Sequence, residues 1–85
     1  MPEKIADTAP NTVHVTDYDR VHVDVYLRLL DAAEEGAPWE DAARIVLALD
    51  PLREPERARR VYDSHLARAR WLTAGGYRDF LRLPN

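Results

Sequence analysis

One apolar face of a long helix, in the C-terminal half of the chain, constrains the fold more than any other feature. Within the stretch Pro55 to Leu83, apolar residues recur at i, i+3, i+4 and i+7, as they do on the buried side of a helix. Pro55 suits the first position of this helix, because proline has no N–H group to leave unpaired there. Gly75 and Gly76 suit its end, because glycine adopts the left-handed conformation readily. The predicted inward face comprises Ala58, Val61, Tyr62, His65, Leu66, Ala69 and Leu72.

A first helix is predicted earlier in the chain, from about Asp17 to Glu35. Thr16 and Asp19 have the spacing of a capping box, although aspartate is a weaker partner there than glutamate. Gly36 suits the end of this helix. Its predicted inward face comprises His22, Val23, Tyr26, Leu29, Leu30 and Ala33.

A second helix is predicted to begin at Pro38 and to end near Leu49. Glu40 and Asp41 lie in its first turn, where negative charge interacts favourably with the helix dipole. The pair Asp50-Pro51 follows its end, because a residue before proline avoids the helical conformation. The predicted inward face comprises Trp39, Ala42, Ala43, Val46 and Leu49.

These segments predict an all-α fold with three main helices plus a short C-terminal helix that carries Tyr77, Phe80 and Leu81. A chain of 85 residues is long enough for one small core. The second and third helices, joined by a linker over residues 50–54, form a helix-turn-helix-like pair. Residues 1–15 have no helical period, so we expect a flexible N-terminal tail followed by a single domain over residues 16–83.

A β-hairpin is the alternative for the first part of the chain. Val13–Val15 and Val21–Val25 both alternate apolar and polar residues, and Asp17–Asp19 could form the turn between them. The helical period continues through Ala33, however, and an isolated two-stranded hairpin is only marginally stable. The pattern therefore favours the helix.

Charge is distributed unevenly along the chain, whose formal net charge is −3. Residues 1–52 carry 4 basic and 11 acidic residues, whereas residues 53–85 carry 8 arginines and 4 acids. A protein that binds nucleic acid by itself is usually basic overall, because phosphate neutralisation supplies most of its affinity. The acidic half favours a protein partner at least as much as DNA.

Composition and motif spacing indicate neither catalysis nor cofactor binding. The chain has no cysteine, which excludes disulfides and thiolate metal sites and favours a cytoplasmic location. His14, His22 and His65 do not have the spacing of metal ligands. Ser64 and His65 are neighbours in the predicted helix, where adjacent side chains point about 100° apart, so we expect no nucleophile–base pair.

The outward face of the third helix is one candidate partner-binding surface, and it comprises Arg57, Arg60, Ser64, Arg68 and Trp71. Arginine reads guanine edges and phosphates in DNA, but arginine and tryptophan also dominate protein interfaces. A third interpretation is that the arginines are solvated and that Trp71 is covered by Tyr77 and Phe80. We favour protein binding slightly over DNA binding for the arginines.

The outward face of the first helix is the other candidate surface, and it carries Asp24, Asp31 and Glu35. Acidic residues at the C-terminal end of a helix interact unfavourably with its dipole. Helix propensity alone therefore does not account for Glu34 and Glu35. Solvated surface is the simpler interpretation of these acids, and contact with a basic partner is the functional one.

The stretch YLRLLDAAEEGAPWEDAARIVLALDP, followed by RARRVYDSHLARARWLTAGGYRDFLR, resembles a family of small proteobacterial helix-turn-helix domains that carries an unknown-function label. The pieces YLRLLDA, ARIVL, SHLARARW and GYR-x-x-L carry the resemblance, which extends from Tyr18 to Leu83. Members of that family include stand-alone proteins and the DNA-binding-like half of transcriptional activators on integrative and conjugative elements.

As a short, acidic, stand-alone chain, the protein most resembles an antiactivator of conjugative transfer within that family. The resemblance implies that this chain, as a monomer, binds a LuxR-type quorum-sensing activator and an excision activator. Excision and conjugative transfer of the mobile element would thereby be repressed. The alternative is a helix-turn-helix transcriptional regulator that inserts its third helix into the DNA major groove.

Overall fold

The computed structural model describes residues 4–76, which form four α-helices and no β-strand. A π-helical turn at Leu72–Gly76 follows the last of them. The all-α class is therefore confirmed, whereas the short helix predicted to carry Tyr77, Phe80 and Leu81 lies outside the described residues. The helices are α1, Asp17–Val21; α2, Val23–Glu34; α3, Trp39–Leu47; and α4, Pro55–Trp71.

The helix α4 begins at Pro55, as predicted, and packs against both α2 and α3. Every residue of its predicted inward face is buried. Val61 and Tyr62 belong to the main core cluster together with Leu29 of α2 and Leu47 of α3. Complete burial of an aliphatic side chain contributes about 1.5–3 kcal/mol, so this face provides much of the free energy of folding.

The first helix is interrupted at His22, where one continuous helix was predicted. In an unbroken helix the backbone N–H of His22 would bond to the carbonyl of Tyr18. Here the imidazole Nδ1 of His22 donates to that carbonyl over 2.7 Å, and the backbone N–H bonds to Asp19 instead. A side chain that replaces a backbone bond bends the helix. The break also leaves Val23 exposed, so its predicted inward position is wrong.

Both ends of the α1–α2 segment follow the sequence signals. Thr16 and Asp19 form the predicted capping box. Gly36 has a φ of 78°, and its N–H bonds to Ala33 while the N–H of Ala37 bonds to Ala32. This pair of bonds is the Schellman arrangement, which needs a left-handed residue.

The helix α3 is shorter than predicted and ends at Leu47. Ala48 adopts the left-handed conformation, with φ 56° and ψ 38°, although it is not glycine. Leu47 is buried, which the inward pattern missed, and Leu49 packs against the core from beyond the helix end. In the linker to α4, the Asp50 carboxylate accepts hydrogen bonds from the next backbone N–H groups.

The N-terminal segment, residues 4–15, has neither helix nor strand but lies against α4 and the core. Ile5 packs on the main core cluster, and the side chain of Ala9 is 5% exposed. This placement differs from the tail predicted over residues 1–15. The contacts are made mostly by backbone groups and small side chains, which leave no periodic signal in the sequence.

Candidate partner-binding surfaces

The N-terminal segment contacts the predicted arginine surface of α4. Arg57 Nε donates to Asp7 Oδ1 over 2.9 Å, and Arg57 Nη1 lies 3.2 Å from Glu54 Oε2. Arg60 Nη2 is 4.0 Å from the other carboxylate oxygen of Asp7. The hydrogen bond from Arg57 lowers the pKa of Asp7. Asp7 therefore offsets part of the positive charge on the predicted partner-binding surface.

Ser64, in the middle of the same face, also binds the N-terminal segment. Its Oγ accepts a hydrogen bond of 3.0 Å from the backbone N–H of Ala9 and donates one to the carbonyl of Val61. Trp71 is half-buried, and its ring centroid lies 4.1 Å from the guanidinium carbon of Arg68. This distance is that of a cation–π contact. The predicted cover of Trp71 by Tyr77 and Phe80 lies outside the described residues.

Arg68 is buried, which corrects its predicted place on an exposed partner-binding face. Its side chain is 4% exposed, and Nη2 lies 2.7 Å from Asp19 Oδ2. Its guanidinium also donates to the backbone carbonyls of Thr12 and His14. Outward spacing on a helix assumes that no other segment covers that side. Here the N-terminal segment and Asp19 cover that side of α4, so Arg68 has a structural role.

Asp19 is the acceptor around which this buried polar cluster is built. Burial raises its pKa, but hydrogen bonds from Arg68, the backbone of Thr16 and the hydroxyl of Tyr26 outweigh burial and lower the pKa below its usual value. The pKa of Tyr26 is raised, first by burial and then by its hydrogen bond to Asp19. Asp19 stays ionised at neutral pH and compensates the buried charge of Arg68.

His65 joins the N-terminal segment to the core through Tyr18. Its Nδ1 donates to the carbonyl of Val61 over 2.7 Å, so Nε2 accepts the 2.6 Å hydrogen bond from the Tyr18 hydroxyl. That hydroxyl in turn accepts from the backbone N–H of Ala6. Burial lowers the pKa of His65. The imidazole is therefore neutral and serves as a structural link.

Ser64 Oγ lies 3.3 Å from His65 Nδ1, closer than the predicted divergence of adjacent helical side chains implies. Both atoms, however, have the Val61 carbonyl as their hydrogen-bond acceptor. With its proton directed at this carbonyl, Nδ1 has no lone pair for a serine proton. The contact provides no nucleophile–base pair. Residues 4–76 also contain no cluster of histidine and acidic side chains that could hold a metal ion.

A groove lies between the N-terminal segment and α4. It has a volume of about 310 Å³ and is lined by residues 8–13 on one side and by Ser64, Ala67, Arg68 and Trp71 on the other. Of these four α4 residues, Ser64, Arg68 and Trp71 belong to the predicted arginine surface, and Ala67 lies beside it. The segment occupies that side of α4 without filling it.

The acidic surface of α2 is the second predicted surface, and its three acids are exposed. Asp24, Asp31 and Glu35 form no salt bridge within residues 4–76. Two apolar side chains beside them are also exposed, Val23 by 36% and Leu27 by 55%. These two residues line one edge of an apolar groove of about 140 Å³ between α2 and the end of α4.

Sequence reasoning missed Asp19, Tyr18 and the N-terminal segment as parts of this region. The sequence predicts Asp19 only as a capping residue, although its carboxylate also binds Arg68. The one sequence signal for a buried Arg68 is its position three residues after His65 and directly before Ala69, at the edge of the predicted inward face.

No protein-family model matches this chain, and a search of curated proteins finds no match either. Among the described helices, none combines the length and the apolar composition that a membrane crossing requires.

Proposed function

We propose that this chain is an antiactivator that binds transcriptional activators and represses excision and conjugative transfer of a mobile element. The proposal begins with the resemblance of the stretches 26–51 and 57–82 to QseM-like antiactivators. Its partners would be a LuxR-type quorum-sensing activator and an excision activator. The helix-turn-helix-like arrangement of α3 and α4, with α2 packed on both, is compatible with this resemblance.

The observation that carries the proposal is the acidic and apolar surface on α2. Asp24 and Asp31 lie beside the exposed side chains of Val23 and Leu27. An activator that binds DNA presents basic residues, because phosphate contacts need them. A surface with exposed acids beside apolar groups complements a basic partner in charge and offers apolar area to bury.

The α4 surface supports the DNA-binding alternative less well. A recognition helix must present its side chains to base edges. Here Arg68 is buried against Asp19, Ser64 binds the backbone of Ala9, and Arg57 pairs with Asp7. Of the predicted arginine surface, only Arg57 and Arg60 remain accessible, and both lie near Asp7. This arrangement favours a protein partner over the major groove.

The test is a binding titration with a LuxR-type activator from the same mobile element. Asp24→Lys and Asp31→Lys should each weaken binding about tenfold, which corresponds to about 1.4 kcal/mol, because they place positive charge against a basic partner. Glu40→Lys reverses an exposed acid on α3 and serves as the matched control. Circular dichroism of each variant should match that of the unmodified chain.

The Arg57→Glu and Arg60→Glu variants test the other surface in the same titration. We expect a smaller effect from them, because Asp7 already pairs with both arginines. Unchanged binding in both α2 variants would contradict the proposed surface. Salt-sensitive binding to DNA in a gel shift, lost only in the two arginine variants, would support the DNA-binding alternative instead.

A further inference from the structure

We infer that the N-terminal segment is an internal ligand, and that the α4 surface beneath it is a binding groove for an extended acidic segment of a partner protein. This inference goes beyond antiactivator function, because it requires neither activator nor DNA. Its basis is the set of contacts that residues 4–15 make with α4. They resemble peptide recognition more than the packing of a tail.

The contacts with α4 are of three chemical kinds. The carboxylate of Asp7 binds the guanidinium of Arg57, 2.9 Å away, and lies close to that of Arg60. Two residues later, the small side chain of Ala9 is buried while its N–H donates to Ser64. Further along, backbone carbonyls accept hydrogen bonds from Arg68. Backbone bonds give affinity without regard to sequence, and the side-chain positions give specificity.

These contacts define the ligand that the groove accepts. An extended segment with an Asp or Glu, followed two residues later by a small apolar residue, would reproduce the contacts of Asp7 and Ala9. Arginine pairs are suited to carboxylates, because guanidinium and carboxylate groups match in geometry and charge. Without the internal segment, the exposed guanidinium groups of Arg57 and Arg60 would attract such a ligand.

The charged contact of the internal segment lies at the surface, where a partner can compete for it. The Arg57–Asp7 pair is part-exposed, with side-chain exposures of 36% and 57%. Exposed pairs contribute little net free energy. The groove beneath residues 8–13 is also incompletely filled. A tethered segment competes with free ligand through its high effective concentration, so the internal ligand would mask the groove until a partner segment displaces it.

The experiment uses a fluorescent peptide of residues 4–14, titrated into the full-length chain and its variants. In Asp7→Lys the segment is repelled by Arg57, and in Ala9→Asp a charged group replaces a buried methyl. Both variants should bind the peptide about tenfold more tightly than the unmodified chain. Their internal segment is docked more weakly, so the peptide displaces it at a smaller cost in free energy. Glu40→Lys makes the same kind of charge change at an exposed site on α3 and should bind like the unmodified chain.

Two further measurements make the result decisive. A peptide carrying Lys in place of Asp7 should fail to bind any variant, and bound peptide should shift the amide NMR signals of Ser64 and Ala67. Equal binding to all chains would overturn the masking role, and no binding to any variant would overturn the groove. If Ala9→Asp does not fold, Asp7→Lys decides, because Asp7 is exposed. None of these outcomes depends on an activator.

Discussion

Arg68 and Asp19 form a buried ion pair between α4 and α1, with 2.7 Å between Nη2 and Oδ2 and side-chain exposures of 4% and 0%. The two residues are 49 positions apart. The same guanidinium binds the carbonyls of Thr12 and His14, so a single side chain joins α4, α1 and the N-terminal segment.

Arg68→Met should lower the free energy of unfolding by about 3–5 kcal/mol, because it leaves the carboxylate of Asp19 buried and unpaired. For a small domain this is a large fraction of the total stability. Arg70→Met, two residues away and exposed, is the control and should change stability by about 0.5 kcal/mol or less. Urea unfolding measures both.

The double variant Arg68→Met with Asp19→Asn separates the cost of an unpaired charge from the cost of lost contacts. It should be more stable than Arg68→Met alone, since no buried charge remains without a partner. If Arg68→Met unfolds at the same urea concentration as the unmodified chain, the buried ion pair between Arg68 and Asp19 is contradicted.

Two leucines on α2 give a second prediction, because they differ only in burial. Leu29 is fully buried in the main core cluster, whereas Leu27 is 55% exposed. Leu29→Ala should cost about 2–5 kcal/mol through lost burial and the cavity it leaves. Leu27→Ala should cost about 0.5 kcal/mol or less, as exposed substitutions usually do. Equal losses in thermal melting would contradict the orientation of α2.

The sequence was sufficient to predict the inward face of α4, since a long run with period 3.6 permits one register. It was insufficient at His22, where a side chain takes the backbone acceptor of Tyr18 and interrupts the helix. It also misplaced Arg68, because spacing along one helix contains no information about a segment that crosses it. The contacts of Ala9 and of the Thr12 carbonyl depend on tertiary structure alone.

His65 gives a prediction for pH dependence. Burial lowers its pKa in the folded state below the usual value of about 6.5, so the unfolded state binds a proton first as the pH falls. The free energy of unfolding should therefore decrease below about pH 6.5, by at most about 1.4 kcal/mol per pH unit from this group, until the folded state also binds the proton. Urea unfolding between about pH 7.5 and about pH 5 measures this slope above the usual range of carboxylate titration.

The His65→Gln variant tests whether this imidazole is the source of the slope. Glutamine provides both a donor and an acceptor but does not titrate. Its stability should depend less on pH over the same range, even if its stability at neutral pH is lower. The titratable groups that face His65 are Tyr18, Tyr26, His22 and Asp19. An unchanged slope in the variant would show that His65 is not the source of the pH dependence.

Opposite substitutions at two helix ends provide the last prediction. Gly36 and Ala48 both have left-handed backbone conformations, with φ of 78° and 56°, but only Gly36 is a glycine. A residue with a Cβ is destabilised by about 1 kcal/mol in the left-handed conformation. Ala48→Gly should therefore stabilise the protein by about 0.5–1 kcal/mol, and Gly36→Ala should destabilise it by a similar amount. An added Cβ at Gly36 meets no atom within 4 Å, so backbone strain alone determines its effect.

Ala37→Gly, next to Gly36 but with no positive φ, is the control and should not stabilise. Urea unfolding measures all three, and a loss of stability in Ala48→Gly would show that α3 does not end in the left-handed conformation.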